Sequence, residues 1–145
     1  MINTSKSPRR LFSQAAPFAL MLMVSANLYA VQPTSFTLKG SSQVPEVTTS
    51  ATGTGKITVL PDHTVSGSIK TSGIDSTMAH IHEAAAGKNG PPIITLTKTA
   101  SDSYAVPAGA KLTDEQYASY MANNLYVNVH SAKYPDGEIR AQMLH

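Results

Sequence analysis

Between Val31 and Ile74 the chain is a series of short runs rich in Thr, Val and Ile. Each is cut by Gly, Pro or Asp before it reaches the length of an ordinary helix. That punctuation demands β structure. Branched side chains fit a pleated surface, and Gly, Pro and Asp supply the turns between strands. Alternation gives the faces. Phe36 and Leu38 alternate with Ser35 and Thr37, and Ile57 and Val59 with Lys56 and Thr58. After a turn at Pro61–Asp62, Val65, Gly67 and Ile69 alternate with Ser66, Ser68 and Lys70.

The second half continues the pattern. "STMAHIHE" and "PPIITLT" read as strands on either side of a Gly/Asn/Pro loop. "NLYVNVHSAKYPDGEIRAQML" reads as a hairpin, with Pro135 and Gly137 at the second and fourth positions of a type I turn. Leu125, Val127 and Val129 share one face with Ile139, Ala141 and Met143, the face expected in the core. One segment departs from β. Thr113 followed three residues later by Gln116 is a capping box, with Asp114 and Glu115 in the first turn. It predicts a short helix over about 114–122, with Tyr117, Tyr120 and Met121 packing on the core. The expected fold is all-β: an antiparallel β-sandwich or barrel with one short helix near 114–122.

Residues 1–30 have a different character. Lys6, Arg9 and Arg10 precede an apolar stretch from Ala15 to Val24, and Ala30 offers a cleavage point before Val31. That is the anatomy of an export signal. The apolar stretch is too short for an uncleaved membrane anchor. "RRLF" matches a twin-arginine signal in part, so general secretion and twin-arginine export both stay open. The expected organisation is a signal at 1–30 and one domain at 31–145, periplasmic or secreted, with no membrane association after cleavage. Removal of the signal turns a net charge of +2 into −1, eight basic against nine acidic side chains. Neither that balance nor any charge run suggests a nucleic-acid partner.

The chain has no cysteine, which excludes thiolate metal sites, thiol catalysis and disulfides. Histidine is the remaining strong ligand type. His80 and His82 lie two apart in a strand and therefore face the same way. His130 ends the strand "LYVNVH" on its polar face. If the two strands are neighbours, three imidazoles converge within metal-binding reach. The alternation puts this cluster on the outside of the sheet, open to solvent or a partner. Three imidazoles suit copper, with zinc as the alternative. His63, His145, Met78 and Met143 are candidate fourth ligands. Against this stands a purely structural role, with the histidines bonded to backbone or to Asp75, Glu83 or Glu138. Other features favour ordinary roles. Glu138 and Arg140 read as a partly exposed ion pair, Tyr126 as a sheet aromatic, and "GKNGPP" as a turn rather than a phosphate loop. No serine sits in a nucleophile-elbow context, so no catalytic residue is assigned.

The segments "FTLKGSSQVPEVTTSATGTGKITV", "AHIHEAAAGKNGPPIITL" and "NLYVNVHSAKYPDGEIRAQML" together resemble the CHRD domain, first described in chordin and common in exported bacterial proteins. The resemblance covers about residues 36–144. It implies an exported β domain and, by analogy with chordin, a protein-interaction module with an exported partner. The His-x-His strand with a later V-x-V-H strand is also similar to the copper site of copper–zinc superoxide dismutase. That enzyme has a fourth histidine, a zinc loop and a disulfide. This chain has no histidine in the loop after His82 and no cysteine. The likeness supports copper binding more than dismutation. Three functions follow as expectations: metal binding through His80, His82 and His130; a non-catalytic interaction module; and, as a minority reading, a copper oxidoreductase.

Overall fold

The computed structural model describes residues 31–145; the export signal expected in 1–30 lies outside the described residues. Nine strands form one antiparallel sheet: β1 (Thr34–Lys39), β2 (Thr52–Val59), β3 (Val65–Ser72), β4 (Ser76–Glu83), β5 (Pro92–Thr95), β6 (Thr97–Ala100), β7 (Ser103–Ala105), β8 (Leu125–Ser131) and β9 (Ile139–Met143). Their order across the sheet is β5-β4-β8-β9-β1-β2-β3-β7-β6. The two edge strands, β5 and β6, are consecutive in the chain and separated by Leu96 alone. Leu96 N–H donates to Ala79 O, and Lys98 Nζ reaches back to Ser76 O. One segment therefore seals both edges, and the sheet curls into a nearly closed barrel. Closure removes the exposed edges that would otherwise recruit another strand.

The interior follows the alternation. Leu38, Ile57, Ile69, Ala79, Ile81, Val127, Val129, Ile139 and Met143 are all at most 2 % exposed. The capping box forms as expected. Thr113 Oγ1 accepts from Gln116 N–H, and the Gln116 side chain accepts from Thr113 N–H. The helix α1 (Asp114–Met121) ends at Asn123, whose positive φ of 60° turns the chain into β8. It closes one end of the barrel with Tyr120, buried and within hydrogen-bond distance of the Thr34 hydroxyl. Met121 does not join that packing as expected; at 47 % exposed it faces solvent. An unanticipated element is the β6–β7 hairpin. Every residue of β6 is exposed, so no apolar alternation marked it as a strand.

Burial on the outer face divides the barrel. On β1, β2 and β3 the outward residues Ser35, Thr37, Lys39, Thr52, Thr54, Lys56, Ser66, Ser68 and Lys70 are exposed, and Thr58 is half-buried. On β8 all seven residues are buried, although they still alternate in direction. The segments 40–51 and 84–91 and the turn 132–137 fold over that side. Asn89 Nδ2 donates to Val44 O, linking the first two segments. Gln43 Nε2 donates to Asn128 Oδ1, and Asn128 Nδ2 donates to Asp136 O. At Gly137 the backbone has φ +123° and a Cβ would fall 2.2 Å from the Asn128 amide, so only glycine lets the turn close.

Candidate metal centre

β4 and β8 are neighbours, which decides whether the histidines meet. Their register sets Met78 opposite His130, His80 opposite Asn128 and His82 opposite Tyr126. The alternation sends His80, His82 and His130 to the outer face, and their ring nitrogens come together. One nitrogen from each lies within 4.8 Å of the others. A metal with bonds of about 2.0–2.1 Å needs ligand atoms roughly 3.3–3.6 Å apart, so a modest rotation of the rings would suffice.

The surroundings correct one expectation. The cluster is on the outer face, but it is not open. His82 is 8 % exposed and His130 7 %, because the segment 84–91 and the turn 132–137 lie over them; only His80 is partly accessible. The covering backbone supplies partners. His82 Nδ1 lies 2.9 Å from Gly90 O and His130 Nδ1 lies 2.8 Å from Pro135 O. A carbonyl can only accept, so each Nδ1 carries the proton and each Nε2 presents a lone pair. None of the acidic partners expected from sequence holds these rings.

The two lone pairs have different fates. His130 Nε2 faces His80 Nδ1 at 3.0 Å and accepts its proton. His82 Nε2 is buried and has no hydrogen-bond partner, alone in this respect among the buried side-chain polar atoms described. An unsatisfied buried acceptor costs roughly 1–3 kcal/mol and calls for an explanation. A metal ion between the three rings would be one. Metal-binding histidines characteristically donate their other N–H to a backbone carbonyl, which fixes tautomer and orientation. His82 and His130 are held that way. His80 could join through Nδ1 by moving its proton to Nε2.

Burial biases His80 and His82 toward the neutral form. His80 is held below the ordinary value of 6.5 by burial first, then by the charges of His130 and His82. His82 is held below 6.5 by burial first; its bond to Gly90 opposes this, while His130 and Arg140 add to it. Neutral imidazole is the form that binds metal.

The residues around the triad also differ from expectation. Glu138 and Arg140 are not an exposed ion pair. Both are buried, and they have separate partners. Glu138 accepts from the Thr49 and Ser131 hydroxyls at 2.7 and 2.5 Å. Arg140 stacks on the Tyr126 ring at 3.4 Å and donates to Asn89 Oδ1 and Gln142 Oε1. Tyr126 is more than a sheet aromatic: its ring also stacks on His82 at 4.8 Å, and its hydroxyl meets Gly90. β8 lies between β4 and β9, so Tyr126 is flanked by His82 on one side and Arg140 on the other. Of the other ligand candidates, His63 stacks on Tyr117 and His145 lies against Tyr120 and Asn123, both at the helix. Met143 is fully buried in the core. Met78 remains, on the triad's own face.

The family model of the CHRD domain matches residues 34–143. This chain belongs to the CHRD domain family. The match runs from the first residue of β1 to the last of β9, so the CHRD domain accounts for the whole barrel and all three histidines. Comparison with curated proteins and with solved structures found no match.

Proposed function

We propose that this CHRD domain binds one transition-metal ion through His80, His82 and His130, with copper as the preferred metal, outside the cytoplasm. The unpartnered Nε2 of buried His82, on a ring grouped with two further imidazoles, carries the reading. Two rings already donate Nδ1–H to backbone carbonyls, so little order remains to be imposed when the ion arrives. An all-imidazole donor set suits copper and zinc, and intrinsic affinity favours copper. The export signal expected in residues 1–30 would deliver the protein to a compartment where copper can be acquired. A role as an interaction module, which CHRD membership also suggests, is compatible with such a site.

The test is a Cu(II) titration of metal-stripped protein followed by electron paramagnetic resonance. His80→Ala, His82→Ala and His130→Ala are run in parallel. One equivalent with a nitrogen-rich spectrum is expected in the parent and lost in each variant. Binding that is weak and indifferent to all three changes would sink the proposal and leave the histidines structural.

A further inference from the structure

The neighbourhood of the triad bears on the charge of the ion it holds. No carboxylate joins the three imidazoles among the described residues. The nearby acids are engaged elsewhere: Glu83 accepts from the Ser119 hydroxyl, and Glu138 from Thr49 and Ser131. The donor set is therefore neutral. A divalent ion bound there would keep its full charge in a partly desolvated place.

The permanent charge beside the site is positive. Arg140 is 2 % exposed and takes part in neither ion pair found among the described residues. Its partners are the neutral amides of Asn89 and Gln142 and the face of Tyr126. Tyr126 in turn stacks on His82. A buried guanidinium stays charged and repels a dication about twice as strongly as a monocation. Zinc sites and copper(II) sites commonly offset their charge with carboxylate or thiolate; here the offset is missing and the bias is reversed.

The third observation is Met78. It is 47 % exposed, one of the few large apolar side chains left in water. In the β4–β8 register it lies directly opposite His130, and it precedes His80 by two residues on the same face. Directly opposed side chains start about 4.5–5.5 Å apart, and methionine is unbranched with three rotatable bonds. A thioether is a soft ligand that selects Cu(I).

We propose that the site is built for monovalent copper: Cu(I) held by His80, His82 and His130, with the Met78 thioether as fourth ligand, in preference to Zn(II). This rests on the reading that the triad binds metal. Oxidation to Cu(II) is disfavoured by the same neutral donors and by Arg140, so the bound copper has a raised reduction potential.

The experiment is an anaerobic competition for Cu(I) against a chromophoric chelator, with Ag(I) as a redox-inert monovalent probe and Zn(II) as the divalent control. It uses the purified parent protein and Met78→Leu. That exchange is nearly volume-conserving at an exposed position and preserves the fold. Cu(I) is expected to bind at least about a hundredfold more tightly than Zn(II). Met78→Leu is expected to weaken Cu(I) by roughly tenfold, to leave Zn(II) within about twofold, and to lower the copper potential. Ag(I) should shift the Met78 methyl resonance of the parent. Zn(II) bound as tightly as Cu(I), or a Met78→Leu variant that behaves as the parent, overturns the monovalent site while leaving the triad intact. Failure to bind any of these metals overturns the triad itself.

Discussion

The outer faces of β1–β3 and of β4, β8 and β9 belong to the same sheet, yet they follow opposite rules. The first carries Ser, Thr and Lys, nearly all exposed, as expected where water satisfies polar groups. The second carries His82, His130, Asn128, Glu138 and Arg140, each at most 8 % exposed. A polar group without water must find a partner in the protein or forfeit stability. On the covered face nearly all of them do. Gln43, Asn89 and Gln142 bring amides to Asn128 and Arg140, and the carbonyls of Gly90 and Pro135 receive the two imidazoles. The cover is thus a polar one, fitted group by group. His82 Nε2 is the gap in that fit, and His82 belongs to the histidine cluster.

The difference separates two kinds of residue that composition treats alike. A lysine on β2 can vary freely, while a polar residue on β8 has a designated partner. It also gives the loops a function. The 84–91 segment carries Gly90, where a Cβ would fall 1.9 Å from Glu83 O. Only a residue without Cβ lets this segment lie close enough for its carbonyl to meet His82.

The comparison is broken most directly by removing a ligand from one face and a hydroxyl from the other. His130→Ala should lower copper affinity by more than a hundredfold, beyond the 10–100-fold typical of losing a partner that merely orients a ligand. Thr54→Ala, on the exposed face, should leave affinity unchanged. Isothermal titration of both variants checks this. Equal affinities would mean that the covered face gains nothing chemical from its histidines.

Stability gives the next largest contrast. Arg140→Ala removes a buried stack on Tyr126 and the guanidinium's bonds to Asn89 and Gln142, at a cost of about 3 kcal/mol. Lys70→Ala removes an exposed ion pair, 3.6 Å from Asp102, with both side chains largely in solvent. That change should stay within about 0.5 kcal/mol. Urea denaturation of the two variants measures both. An Arg140→Ala variant as stable as Lys70→Ala would show that the polar cover is incidental to folding.

The sequence disclosed the directions of side chains far better than their surroundings. Alternation placed Val127 and Val129 inside and His130 outside, and the Thr113–Gln116 spacing located the helix start. It also brought His80, His82 and His130 to one face, because two-residue periodicity is a local property of strands. Whether an outward face meets water is not local. It depends on the segments 40–51 and 84–91 folding back, and neither has any periodicity to read. Hence the histidines were expected in the open, and Glu138 and Arg140 were expected as a partly exposed ion pair. One signal was available: uncharged Asn128 and Gln142, where an exposed strand would carry charge, mark a face whose partners are fixed.

Acid provides the smallest and most selective test. His80 and His82 are both held below 6.5 in the folded protein, chiefly by burial, whereas the unfolded chain releases them from that constraint. Between the depressed values and about 6.5 the unfolded chain binds more protons than the folded one. The stability that depends on neutral His80 and His82 is therefore fully present above about 6.5 and is lost as pH falls through their folded values. The metal-free protein should show a falling urea midpoint from pH 7 to pH 5, and His80→Gln should flatten that slope without changing its sign. Loading the site first should delay the fall, since protons and metal compete for the same nitrogens. A slope that is identical in His80→Gln and in the loaded protein would place the acid-sensitive group away from the triad, and the two outer faces would then differ in burial but not in chemistry.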